Sequence, residues 1–152
     1  MNMAAPLFNA DDMFVLGNIA ATAIKKGHGA LAEPLLKLIQ EERPANAGAF
    51  VLEAMYLHSV GRTDDAREFL ETSGAFQTEN NRDEAVAFHL YLMQQAGQIE
   101  QAHELGQTYL AEGLVTSDSA VSAVSTVVSE CADELFETIE DIDGSSVPEE
   151  VK

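Results

Sequence analysis

The side chains that could do chemistry in this 152-residue sequence are four histidines and one cysteine, and they are scattered along the chain. Glu100 and His103 have the i, i+3 spacing that lets two side chains on a helix share a metal ion. A zinc site needs at least two further ligands, which the sequence does not place nearby. Acidic neighbours of Cys131 disfavour the reactive thiolate. We therefore expect no metal, no cofactor and no catalytic residue.

A second candidate for metal binding is the segment IEDIDGSSVPEE, residues 139–150, which partly matches a calcium-binding loop. Its first position is Ile139, where such a loop requires a carboxylate. The sequence also lacks a glycine-rich phosphate loop and a serine in a nucleophile turn. These features predict a protein that is not an enzyme.

The formal net charge of −18 is concentrated in the second half, where residues 77–152 carry 16 acidic and 2 basic side chains. Such a surface repels phosphate groups, so we expect neither nucleic acid nor anionic lipid as a partner. The first residues lack the basic segment of a secretory signal, and the apolar run 13–24 is too short to span a bilayer. The sequence thus predicts a cytoplasmic protein without membrane insertion.

Helical periodicity runs through residues 9–142, and no segment has the pattern of a strand. Helix–turn–helix hairpins are predicted at about 10–43, 46–73 and 81–113. Each has a turn glycine and an alanine five residues later: Gly27 and Ala32, Gly61 and Ala66, Gly97 and Ala102. The predicted helix caps are Asn9, Asn46, Thr63 and Asn81, and Glu84 would complete a capping box with Asn81. Residues 9–142 are therefore expected to form one all-α domain.

The turn glycines lie 34 and 36 residues apart, and a 34-residue period of helical hairpins resembles the tetratricopeptide repeat family. The resemblance covers about residues 13–114. Its strongest positions in the second repeat are Phe50, Ala54, Leu57, Gly61, Ala66 and Leu70. The sequence departs from the family at Glu53 and His89, which replace apolar residues, and at Gly106, which replaces a large one. The resemblance implies three hairpins stacked as a short solenoid.

In the repeat family, four inward positions of each unit line a concave groove that binds partner proteins. The residues that the pattern carries over are Phe14, Val51, Met55, His58, Ala87, Tyr91 and Gln94. A methionine and an aromatic ring among small residues suit an amphipathic partner helix. The alternative is that Met55 and Tyr91 belong to the core, because three repeats leave little spare surface.

Residues 43–70 are also similar to the small tetratricopeptide-like proteins encoded with bacterial type III secretion systems. The shared features, in order, are Arg43-Pro44, Glu53-Ala54, Leu57, Gly61-Arg62, Asp65-Ala66 and Leu70. This resemblance implies a bacterial cytoplasmic chaperone or accessory protein whose partner is a small helical secreted subunit or a co-chaperone. The alternatives are a general scaffold for an unrelated cytoplasmic assembly and a self-associating structural protein.

A valine-rich helix is predicted at about 118–142, with Ser117 or Asp118 as its cap. Its apolar stripe contains Val121, Val124, Val128 and Leu135. One interpretation is that this helix covers the open end of the third hairpin, and the alternative is that it binds a partner or forms a homodimer. Residues 143–152 are predicted to be a disordered acidic tail.

Overall fold

The structure is a computed structural model that describes residues 9–146, with side chains described for residues 9–140. This part of the chain is all-α, as predicted, and contains no strand. Its helices are α1 (Ala10–Lys25), α2 (Gly29–Glu42), α3 (Gly48–Ser59), α4 (Thr63–Thr72), α5 (Arg82–Gln95), α6 (Ile99–Ala111) and α7 (Asp118–Ser146). A short 3₁₀ turn, Ala75–Gln77, follows α4.

The three hairpin turns form as the glycine–alanine spacing predicts. Gly27, Gly61 and Gly97 have φ angles of 83°, 84° and 86°, a left-handed conformation that costs glycine little. The alanines that follow them, Ala32, Ala66 and Ala102, are all buried. A small side chain at this position lets the two helices of each pair approach closely.

The helices form two layers. The odd-numbered helices contact one another in series, α1 with α3, α3 with α5 and α5 with α7. Each even-numbered helix packs against the helix before it and the helix after it. Because one pair cannot bury its apolar face alone, each successive pair depends on its neighbour for a core.

Two of the three departures from the repeat pattern, Glu53 and His89, join consecutive helix pairs. Glu53 is buried in α3 and accepts hydrogen bonds from Lys37 Nζ at 2.9 Å and Gln40 Nε2 at 2.8 Å, both on α2. His89 occupies the corresponding position of α5, and its Nε2 lies 2.7 Å from Glu71 Oε2 on α4. A polar residue is tolerated at this buried position because the preceding pair satisfies its hydrogen bonds.

Three predicted caps differ in the structure, and their side chains make other hydrogen bonds. Thr63 begins α4 without capping it, and its hydroxyl hydrogen-bonds with His58 Nδ1 at 2.9 Å. Asn81 makes no cap either, and its amide donates to Asn46 Oδ1 at 2.8 Å. Asn46 precedes the cap position of α3 but still accepts the N–H of Gly48. At Asn9 the predicted cap is confirmed, with Asp12 completing a capping box.

The last helix, α7, packs against both α5 and α6. It continues through Ser146, four residues beyond the predicted helix end at 142, and residues 147–152 of the predicted tail lie outside the described residues. Ser117 Oγ accepts the N–H of Ala120 at 3.3 Å, so Ser117 is the residue that caps this helix. Within the described residues, no helix combines the length and the hydropathy that crossing a bilayer requires.

Candidate partner-binding groove

A groove of about 780 Å³ lies between α3, α5 and α7 and is open to solvent. Five of the predicted groove residues line it: Val51, Met55, His58, Ala87 and Tyr91. The wall from α7 consists of Ser119, Ala120, Ala123, Thr126, Val127 and Glu130, and Ile24 and Lys25 close the α1 end. The arrangement offers an apolar floor with charged groups at its edges.

The floor is held in place by aromatic contacts around Tyr91. The Tyr91 ring stacks on Phe88 at 5.6 Å between ring centroids and lies nearly perpendicular to the His58 ring, also at 5.6 Å. His58 is fixed in turn by its hydrogen bond to Thr63. Tyr91 also packs against two core clusters, whereas Met55 is half-buried and faces the groove. Tyr91 therefore belongs partly to the core and partly to the groove, whereas Met55 belongs to the groove.

Two predicted groove residues lie elsewhere. Phe14 is 71% exposed and lines a second cavity of about 510 Å³ between α1, α2 and α3, together with Gly17 and Leu52. Gln94 faces α7 instead of the groove, because its Nε2 donates to Glu130 Oε1 at 3.0 Å. The groove is thus displaced toward α7 from the position that the sequence pattern predicts.

The α7 wall is the part of the site that the sequence reasoning missed. Val51, Ala87 and Ala123 are spaced 36 residues apart, and so are Met55, Tyr91 and Val127. These two series place one residue each on α3, α5 and α7, so α7 occupies the position of a fourth groove-lining helix. The 36-residue spacing could have indicated this wall, since α5 and α7 also begin 36 residues apart. It was missed because α7 is not followed by a turn glycine like those of the three hairpins.

The packing of α7 decides between the two interpretations of its valine stripe. Val124 is fully buried, and Val121 and Val128 are half-buried against the core cluster that contains Val86 and Leu90. The stripe therefore covers the third helix pair of its own chain. Val121, Val124 and Val128 are therefore not free to form a homodimer seam. Leu135, the fourth residue predicted for such a seam, lies outside this core cluster and is half-buried.

An acidic pair at the start of α5 anchors the beginning of α7. Asp83 Oδ2 accepts the backbone N–H groups of Thr116 at 2.7 Å and Ser117 at 3.1 Å, and the Thr116 bond holds the pKa of the Asp83 carboxyl below its usual range. Glu84 Oε2 accepts the hydroxyls of Ser117 at 2.5 Å and Ser119 at 2.7 Å. The Ser117 hydroxyl likewise lowers the pKa of Glu84. Glu84 therefore stays ionised at the groove edge at neutral pH.

The candidate chemical groups remain apart in the structure. Among the described residues, no three histidine, cysteine, aspartate or glutamate side chains come together as ligands for a metal ion. Cys131 is fully buried in α7, and burial raises the pKa of its thiol, with Glu134 and Glu130 adding to the shift. The thiol at Cys131 therefore packs as an apolar group.

Comparison of this chain with protein-family models, with curated proteins and with solved structures finds no match.

Proposed function

We propose that this chain is a non-enzymatic protein-binding module of tetratricopeptide-like helical hairpins, and that its groove holds an amphipathic helix of a partner protein. The observation that carries the proposal is the composition of the groove. Residues spaced 36 apart on the odd-numbered helices α3, α5 and α7 converge on one open apolar surface, including Met55, Tyr91 and Val127. Buried apolar anchors of a partner helix contribute about 1.5–3 kcal/mol each in such a groove.

The edges of the groove specify the charge of the partner helix. Glu84 and Glu130 line the side formed by α5 and α7, and Lys25 lies at the α1 end. A complementary helix has an apolar face, basic side chains along the edge that meets α7, and an acidic group toward Lys25. The net charge of −18 also favours rapid encounter with a basic partner.

The specific role that we propose is that of a cytoplasmic chaperone or accessory protein of a bacterial type III secretion system. The similarity of residues 43–70 to that class supports it, as does a groove suited to keeping an apolar helix out of water before export. The residues that carry the similarity form the frame of the second helix pair, where Ala54, Ala66 and Leu70 are fully buried. The surplus negative charge would keep the complex with an aggregation-prone subunit in solution.

The test is affinity purification from the native cytoplasm with three forms of the chain, followed by native intact-mass analysis. Ala123→Glu places a charge in the groove, and Ser125→Glu places the same charge on an exposed α7 residue outside it. Wild type and Ser125→Glu should retain one stoichiometric small helical protein that Ala123→Glu loses. That protein should aggregate when it is produced alone.

Retention of the same protein by Ala123→Glu would contradict the groove. A mass increment of a few hundred daltons in place of a protein would show that the groove binds a small apolar molecule, which would also overturn the proposal.

A further inference from the structure

Two pairs of exposed large apolar residues form patches on single helices near opposite ends of the helix series; the other exposed large apolar residues in the described part of the chain are Phe14, Leu31, Val60 and Leu114. On α1, Val15 and Ile19 are each 53% exposed. On α7, Phe136 is 62% and Ile139 is 58% exposed. Large apolar side chains exposed together on one helix face are characteristic of interaction surfaces.

The α1 patch occupies positions that a neighbouring helix covers in the rest of the fold. Val15 corresponds to Ala49 in α3, and Ile19 corresponds to Glu53. Ala49 is buried in a cluster with Ile39 of α2, and Glu53 is bonded to α2 through Lys37. The same positions of α5 are Ala85 and His89. Ala85 is buried in a cluster with Leu70 of α4, and His89 is hydrogen-bonded to Glu71 of α4. The geometry of the repeat therefore leaves on α1 a face that can receive one more helix.

The α7 patch lies on a helix that is long enough to fill this place. α7 has 29 residues, whereas α5 has 14, and the last core residue on α7 is Cys131. Beyond that residue, α7 carries Phe136 and Ile139 among exposed acidic side chains: Asp133, Glu134, Glu137 and Glu140. The part of α7 after Cys131 is comparable in length to α2, which has 14 residues.

The charges of the two patches are complementary at the C-terminal end of α1. α1 ends at Lys25, which like the adjacent Lys26 is exposed, whereas its first turn carries the exposed Asp11 and Asp12 one turn before Val15. The α7 patch is flanked by acidic groups alone over residues 132–140. Opposite charges at the lysine end of α1 orient the association of the two apolar faces.

We propose that the end of α7 of one copy of this chain binds the Val15–Ile19 face of α1 of a second copy, head to tail. The contact joins two different surfaces, so it is heterologous and can extend into an open chain of copies. It uses neither Met55 nor Tyr91, and it is therefore independent of the groove and of any partner that the groove binds.

The test is sedimentation velocity with wild type, Ile19→Glu and Phe136→Glu, each checked by circular dichroism for an unchanged helix content. Wild type should exceed its monomer mass of 16.4 kDa as its concentration rises. Each variant alone should remain monomeric because one of its two surfaces is blocked. Val60→Glu, at an equally exposed residue elsewhere, should associate as wild type does.

Mixing the two variants gives the decisive result. The intact α7 end of Ile19→Glu can bind the intact α1 face of Phe136→Glu, so the mixture should form a dimer of twice the monomer mass and grow no further. A mixture that stays monomeric would overturn the head-to-tail contact, and so would a wild type that is monomeric at every concentration. Association of either variant alone would show that the copies associate through surfaces other than these two, and it would also overturn the proposal.

Discussion

Gly106 of α6 lies directly against Val128 of α7, so that a methyl group on Gly106 would come within 2.5 Å of Val128 Cγ2. The same methyl group would lie 3.0 Å from Leu90 Cδ2 on α5. The absence of a side chain at Gly106 is therefore what lets α7 pack close to the third helix pair. Gly106, which departs from the repeat pattern in the sequence, is thus the residue of α6 against which α7 packs.

Gly106→Ala should therefore destabilise the protein by about 1–3 kcal/mol, because the branched Val128 side chain cannot move aside freely. Gly17→Ala is the matched control, since it lies inside α1 and an added methyl group there meets nothing within 4 Å. Gly17→Ala should raise the free energy of unfolding by about 0.5–1 kcal/mol through helix propensity. Urea unfolding followed by far-ultraviolet circular dichroism measures both. Equal effects of the two substitutions would contradict the close approach of α6 and α7.

The buried carboxylate of Glu53 should stabilise the junction between the first two helix pairs. Glu53→Ala removes the hydrogen bonds from Lys37 and Gln40 and should cost about 2 kcal/mol of unfolding free energy. Glu41→Ala removes an exposed carboxylate from α2 and should change stability by less than about 0.5 kcal/mol. The same urea titration compares them. A difference of less than about 0.5 kcal/mol between the two variants would mean that the Glu53 contacts add no net stability.

The anchor formed by Asp83 and Glu84 should make stability depend on pH. Hydrogen bonds from Thr116 and Ser117 lower the pKa of both carboxyls, so their contribution is fully present above the unfolded pKa values of about 4. It is lost as the pH falls through the lower pKa values of the folded state. The free energy of unfolding of wild type should therefore exceed that of Asp83→Asn/Glu84→Gln at neutral pH, and this excess should shrink below about pH 4.

The measurement for this pair is urea unfolding at a series of pH values, with the protein kept dilute because its isoelectric point is about 4.2. An excess that is the same at pH 7 and at about pH 3 would show that the two carboxyls contribute no pH-dependent stability.

Met55 and Tyr91 both line the groove, but their substitution by alanine should affect stability to different extents. Tyr91 also packs against two core clusters, so Tyr91→Ala should cost about 2–4 kcal/mol of unfolding free energy. Met55 is half-buried at the groove, and Met55→Ala should cost about 1 kcal/mol or less while weakening a groove-bound helix. Thermal unfolding together with a peptide-binding titration distinguishes the two effects. A Met55→Ala loss as large as that of Tyr91→Ala would place Met55 in the core.

The parts of this fold that could be predicted from sequence are the ones that depend on local chemistry. Gly61 allows a tight turn through its backbone freedom, and Ala66 allows a close helix approach through its small size. Their spacing therefore predicts a helical hairpin without knowledge of the rest of the fold. The capping box of Asn81 and Glu84 was wrong because Ser117 and Ser119, more than 30 residues later, take the Glu84 carboxylate. The role of Ala123 in the groove was hidden for a related reason, since α7 continues where earlier helices turn and lacks the glycine that marks a repeat.

The most direct test of the groove uses the methionine methyl groups as separate reporters. Met55 faces the groove, Met13 lines the second cavity, and Met93 packs against the core. The probe is a synthetic peptide of 14 residues, the length of α5, with leucines on one face and lysines on the other. Methyl spectra of ¹³C-methionine protein are recorded as the peptide is added to wild type and to Ala123→Glu.

The Met55 signal of wild type should shift with peptide concentration while the signals of Met13 and Met93 stay in place, and Ala123→Glu should abolish the Met55 shift. A peptide that binds while the Met55 signal remains unmoved, or one that shifts Met55 equally in Ala123→Glu, would contradict a helix-binding groove between α3, α5 and α7.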